Sequence, residues 1–217
     1  MPLAAAVDFQ LPPAFHFAAT FVFALTGALA ACRRHYDVVG VFVLAFVAGV
    51  GGSLLRDGLF LGVEPPLVLR DWQYIPVILL ASIAGATLYE RIDRFQFVFG
   101  LLDAAGLAAY SVIGTQMALS LSLPVPAAVL VGTVNAVGGG LLRDLLAQEE
   151  PILFQPSQFY ALVAASGAMA FAALRSFTSL PGGVAGILAA LWIFALRVAA
   201  IRYDWRTVPV RRPDELR

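Results

Sequence analysis

An arginine beside an aspartate is rare in a long apolar stretch, and this chain carries the pair twice in the same setting. Val50-Gly51-Gly52-Ser53-Leu54-Leu55-Arg56-Asp57 recurs as Val137-Gly138-Gly139-Gly140-Leu141-Leu142-Arg143-Asp144, identical at seven of eight positions. Two kinds of chemistry are on offer. Consecutive glycines weaken a helix and bare its backbone. Gly51, Gly52 and Ser53, like Gly138, Gly139 and Gly140, are therefore points where a helix can kink or unwind and turn carbonyls toward a wet path. The same small residues can instead let two helices touch. Arg56–Asp57 and Arg143–Asp144 either anchor helix ends at the headgroups or flank the mouths of a path. An unpartnered arginine at a mouth repels cations, so a cation path needs the aspartate beside it or an arginine that moves.

Other polar residues share this apolar background. Asp103 is the single acid of its segment, with Ser111 and Thr115 following at helical spacing and Tyr110 beside them. An acid at membrane depth marks a functional position unless it caps the helix end. At the matching place in the earlier copy stands His16, an interfacial or a path residue, with Thr20 one turn on. Asn135, three residues before Gly138, either faces the same cavity or makes a hydrogen bond between helices. The chain has no His-Glu zinc pattern, phosphate loop, Ser-His-Asp set or cysteine cluster. Enzyme chemistry, a cofactor, a metal site and nucleic-acid binding are thus not expected. The single cysteine, Cys32, rules out an intrachain disulfide.

The elements that must position these residues are membrane helices. Hydrophobic residues make up 60% of the 217, and charged residues only 13%, too few to keep a globular domain in water. The apolar residues fall into seven blocks: Pro13–Cys32, Val38–Leu61, Tyr74–Tyr89, Phe97–Leu119, Val125–Leu146, Phe159–Phe177 and Gly182–Tyr203. Each has about the length that crosses a hydrocarbon core of ~30 Å as a helix. Asp8 and the Pro12-Pro13 pair precede the first block with no basic residue before it, so that block reads as a retained span rather than a signal peptide. The expectation is an all-α integral membrane protein of seven transmembrane helices.

The repeat organises them. The motif offset also aligns Gly27 with Gly114 and Val47 with Val134; with a one-residue slip, Pro65 matches Pro151 and Tyr74 matches Tyr160. The repeated unit holds three spans (13–89 and 97–177), followed by a seventh helix (182–203) and a tail (204–217). Because three is odd, the second copy enters the membrane from the opposite face, giving an inverted repeat of the kind that places a pathway between its halves. Seven spans leave Arg33, Arg34, Arg91, Arg94, Arg143, Arg202, Arg206, Arg211, Arg212 and Arg217 on one side, against Arg56, Arg70 and Arg175 on the other. The bias puts the N-terminus outside and the C-terminus in the cytoplasm. Gly182, Gly186 and the run Ala164–Ala170, small throughout except Met169, suit close contact between subunits.

Two three-helix repeats, each carrying Gly-Gly-x-Leu-Leu-Arg-Asp followed by proline, plus a seventh helix, resemble the prokaryotic branch of the trimeric intracellular cation channels. That branch is also described as glycine-transporter-domain membrane proteins. The resemblance covers about Phe15 to Tyr203. It implies a homotrimer in a bacterial inner membrane, lipids at the trimer centre, and one pore per protomer for monovalent cations, chiefly K+. The pore would pass kinked second and fifth helices at Gly51-Gly52-Ser53 and Gly138-Gly139-Gly140. Ser53 stands in place of a third glycine in the first copy, so the double triplet is incomplete, and His16 stands where the other half has Asp103; both weaken a strict symmetry of half-sites. A secondary transporter of a small solute such as glycine is the alternative on the same architecture.

Overall fold

The structure, a computed structural model, describes residues 12–63, 65–93, 96–155 and 159–207. Asp8, Arg94, Arg211, Arg212, Arg217 and the tail from 208 onward lie outside the described residues. Eight α-helices are present among them, with no strand: α1 Pro13–Arg33, α2 Val38–Leu55, α3 Leu67–Arg70, α4 Tyr74–Asp93, α5 Gln96–Ser120, α6 Val125–Leu146, α7 Tyr160–Phe177 and α8 Gly182–Arg202. A π-helical turn, Arg56–Leu61, continues α2 to the end of its apolar block. Pro13 opens α1, Pro181 precedes α8, and Asp37 caps α2 by accepting a hydrogen bond from the Gly40 amide at 2.8 Å.

Among the described residues, six helices are long and apolar enough to cross a membrane: Pro13–Arg33, Val38–Leu61, Phe97–Ser120, Val125–Leu146, Tyr160–Phe177 and Gly182–Arg202. The remaining expected span forms a helix of 20 residues, α4, but Pro76 and a charged Glu90-Arg91 end dilute its apolar character.

The packing runs inside out compared with a water-soluble bundle. Ala24, Ala28, Ala31, Ala45 and Ala48 are buried, whereas Val39, Val43, Leu79, Leu80 and Ile83 are exposed. Small residues inside let backbones approach, and large apolar ones face lipid. Helices α1, α2 and α4 pack on one another, as do α5, α6 and α7; α8 lies against α5 and α7. The two groups meet where α2 crosses α6 and α1 runs beside α5. Trp72 at one loop and Tyr203 with Trp205 after α8 are exposed, suiting aromatic anchoring at an interface.

The small face of α7 and α8 corrects one expectation. Gly167 packs directly against the Ile193 side chain, and Ala164, Ala168, Gly182 and Gly186 are buried within the protomer. Gly167 joins α7 to α8, and these buried residues are covered within the protomer.

Candidate functional site

The glycine triplets sit where α2 crosses α6. A Cβ added at Gly51 would meet Leu142 Cδ1 at 2.7 Å, and one at Gly138 would meet Leu55 Cδ1 at 2.9 Å. One at Gly52 would strike the Asn135 carbonyl oxygen, and one at Gly139 the Ala48 carbonyl oxygen. Every contact has its mirror, because Gly51 and Gly138, Gly52 and Gly139, Ala48 and Asn135, and Leu55 and Leu142 are repeat equivalents. The same correspondence holds inside each half. A Cβ added at Gly27 would meet Ala45 Cα at 2.9 Å and Ala48 Cβ at 2.7 Å; one at Gly114 would meet Gly132 Cα at 2.9 Å and Asn135 Cβ at 2.7 Å.

The expected unwound turn at these glycines is absent: the backbone is α-helical from Val38 to Leu55 and from Val125 to Leu146. The departure from the α-helical ladder falls later, at the π-helical turn that begins with Arg56. The physical reason is contact. With a backbone carbonyl or a packed side chain filling the space beside each glycine, the bared peptide groups face a neighbouring helix, and their own helical bonds persist.

The third position of each triplet behaves differently from the first two. Ser53 lines a small polar cavity of about 20 Å³ with His16, Thr20, Arg56, Tyr74 and Tyr110. Gly140 lies against the Tyr160 hydroxyl, 2.9 Å from an added Cβ, and close to the Arg143 guanidinium. Each half thus carries a polar chamber built around its repeated arginine.

Neither arginine snorkels: Arg56 is 3% exposed and Arg143 1%. Each donates Nε to the aspartate that follows it, at 2.7 Å in Arg56–Asp57 and 2.8 Å in Arg143–Asp144. Arg143 goes further. Its Nη1 donates to Asp103 Oδ1 at 3.0 Å and to Thr26 Oγ1 at 2.9 Å, and Phe99 lies under the guanidinium at 5.0 Å. Tyr160 donates to Asp103 Oδ1 at 3.4 Å, and Asp144 Oδ2 accepts from the Ile152 amide at 3.2 Å. One guanidinium therefore ties α1, α5 and α6 together, with α7 joined through Tyr160. A cavity of about 580 Å³ opens beside this cluster, with Arg33, Asp103, Arg143, Asp144, Glu150 and Arg197 in its wall.

The remaining expected site residues hold helices together. The Tyr110 hydroxyl donates to the Gly49 carbonyl at 2.6 Å; having one proton, it accepts from Thr20 at 2.8 Å. Asn135 Nδ2 donates to the Tyr110 carbonyl at 2.6 Å, and Ser111 donates to the Ala164 carbonyl at 2.9 Å. Asp103 joins the arginine chamber, so the helix-cap alternative for it does not hold. Thr26, Phe99, Tyr160 and Arg197 were not singled out for the site by sequence reasoning. Arg197, alone in an apolar span and 3% exposed with its guanidinium 4.8 Å from the Tyr160 ring, offered the clearest signal.

Comparison with known proteins settles the family. The family model described as Glycine transporter matches the chain twice, over residues 14–90 and 100–176. The UPF0126 membrane protein of Deinococcus radiodurans is 37% identical over 198 residues, covering 89% of this chain and 88% of that protein. The solved trimeric intracellular cation channel orthologue from Rhodobacter sphaeroides superposes with a TM-score of 0.83 at 30% identity, over 89% of this chain and 98% of that one. The chain belongs to the trimeric intracellular cation channel family. Within that family, the inner membrane protein YadS of Escherichia coli is 32% identical over 197 residues, 90% of this chain and 94% of its own length. These relatives are named as membrane proteins and channels, not as enzymes.

Proposed function

We propose that the protein is a cation channel permeable to K+, with one ion path in each protomer of a homotrimer. The observation that carries the reading is the reciprocal α2–α6 crossing with an arginine chamber built on each of its two helices. When a residue of one copy meets a residue of the other and their equivalents meet in turn, the two copies are related as by a two-fold axis. With three helices per copy and α4 taken as the third of seven spans, that relation is an inverted repeat about the membrane plane. Two solved relatives, at 30% and 32% identity, are described as cation channels, which supports the same activity here.

The path runs from the Arg56 chamber past Ser53, between α2 and α6, to Gly140 and the Arg143 chamber. Gly51, Gly52, Gly138 and Gly139 touch the opposite helix, so ions pass when this crossing loosens. Arg56–Asp57 and Arg143–Asp144 set the charge at the two ends. Asp103 adds an acid at one end only, while Asn135 and Ser111 brace the wall. In this reading the protein sits in a bacterial inner membrane, and the arginine bias supports an N-terminus outside and a C-terminus in the cytoplasm. Membrane lipids cover the exposed apolar faces of α2, α4 and α8.

Planar-bilayer recording of the purified protein tests the reading. Unitary currents carried by K+ are expected, and cross-linking in native membranes should stop at three subunits. Absence of unitary currents beside saturable, gradient-driven glycine uptake into liposomes would overturn it in favour of a secondary transporter. That second reading is favoured by the description of the matched family model and by a chamber whose wall carries both signs of charge.

A further inference from the structure

The two repeated guanidiniums are not equally satisfied. Arg143 uses Nε and both amino groups on Asp103, Asp144 and Thr26. Arg56 donates Nε to Asp57 at 2.7 Å, and neither of its amino groups has a hydrogen-bond partner among the described residues. Its side chain is 4% exposed, so bulk water does not serve them. Nor are they closed off, as Asp103 Oδ2 and Asn135 Oδ1 are. Arg56 lines the cavity of about 20 Å³, and its amino groups open on that space.

The rest of the wall adds hydrogens, not negative charge. Ser53, Tyr74 and His16 line the same cavity and make no hydrogen bond among the described residues. Thr20 and Tyr110 turn their hydrogens elsewhere, to Tyr110 and to the Gly49 carbonyl. None of the described wall residues is an acid. A buried N–H or O–H left without an acceptor is unfavourable. The Arg56 amino groups, the two hydroxyls and one imidazole nitrogen can each point a hydrogen into the space. A water molecule accepts some of these but brings hydrogens of its own, for which few acceptors remain. A monatomic anion brings none, accepts from every side, and gains charge-assisted bonds from the guanidinium. The volume, room for about one water, excludes phosphate, sulfate and carboxylates.

We propose that the Arg56 chamber binds one halide ion, chloride or bromide, held by the Arg56 amino groups and the Ser53 and Tyr74 hydroxyls. The other half has no such site, because carboxylates and Thr26 take the Arg143 amino groups and Gly140 replaces Ser53. Binding itself requires no ion flow. On the channel reading above, the halide makes the Arg56–Asp57 end of the path net negative, which draws cations to it.

Crystals of the full-length protein grown with potassium bromide locate the ion by its anomalous scattering. One bromide per chain is expected, within hydrogen-bonding distance of Arg56 and Ser53. A chamber that holds water alone, with bromide absent or only elsewhere, overturns the proposal. Thermal unfolding in detergent, with bromide exchanged for gluconate at constant K+, reads the affinity in solution, because a ligand of the folded state raises the midpoint saturably. Ser53→Gly, which copies Gly140, and Tyr74→Phe each remove one hydroxyl donor. Each should weaken bromide by about tenfold. Both leave the Arg56–Asp57 pair in place, and if one fails to fold the other decides. A bromide response equal to that of the unaltered protein in the folded variants overturns the site. Bromide in the chamber of a protein that gives no unitary currents sinks the channel reading and leaves the site; unitary currents with the chamber free of bromide do the reverse.

Discussion

The Arg56 chamber and the Arg143 chamber share one sequence motif and differ in what surrounds it. Around Arg56, the repeated arginine meets its own aspartate, a histidine, hydroxyl groups and a space of about 20 Å³, room for about one water. Around Arg143, it meets two carboxylates, a threonine and an aromatic ring beside a far larger cavity. The scaffold beneath them stayed symmetric down to single glycine contacts. The divergence lies in side chains that decorate it: His16 against Asp103, Phe23 against Tyr110, Ala48 against Asn135, Ser53 against Gly140. Backbone contacts at the crossing leave no room for change, because any added atom strikes the other helix. Side chains facing a cavity, such as His16, Ser53 and Asp103, have that room.

The largest expected effect separates the two arginines. Arg143→Met strands two buried carboxylates, Asp103 and Asp144, and should destabilise the protein by about 3–5 kcal/mol, the cost of breaking a buried charge network. Arg56→Met leaves one carboxylate, Asp57, without its arginine and should cost clearly less. Thermal or denaturant unfolding in detergent reads both, and equal losses would break the asymmetry argued here.

Next come the glycines, where the comparison predicts equality. Gly52→Ala and Gly139→Ala each push a methyl group into the carbonyl of the opposite helix. Each should cost about 1–3 kcal/mol, as overpacking does, and the two values should agree closely. Gly140→Ser, which copies Ser53 into the second half, meets the movable Tyr160 hydroxyl and should cost less than either. A stable Gly52→Ala beside a collapsed Gly139→Ala would show that the crossing is not reciprocal.

An effect no larger than that of the glycines concerns the hydroxyl that one half has and the other lacks. Tyr110→Phe makes the position match its equivalent Phe23. It removes the bond to the Gly49 carbonyl and the one from Thr20, and should cost about 0.5–1.5 kcal/mol per bond. A neutral result in the same unfolding assay would show that the hydroxyl does not hold α5 to α1 and α2.

Much of this was legible in the residues. The block limits Val38–Leu61 and Val125–Leu146 coincide with helical segments, because turn residues and charges bound each apolar run. The repeat was visible for the same reason that it constrains the fold: Gly52 and Gly139 each face a backbone carbonyl of the opposite helix that leaves no room for a Cβ. Asp103 stood out because an acid in an apolar helix requires a partner.

What the sequence determined by itself was therefore local and additive: which segments are apolar enough to be helices in a membrane, that one motif occurs twice, and which polar residues lie within apolar segments. What faces each of them was decided only by the tertiary structure. A glycine beside a water-filled path and a glycine beside another backbone have the same letter, and only the α2–α6 crossing shows that four of them meet backbone or packed side chains. Asp103 and Arg143 lie forty positions apart on two helices, so their contact, the Tyr160 and Thr26 bonds around it and the orphaned Asp103 oxygen depend on how α1, α5, α6 and α7 pack together. Helix periodicity fixes the direction of a side chain relative to its own axis; the rotation of one helix against the next is set by the packing of small residues at their contact.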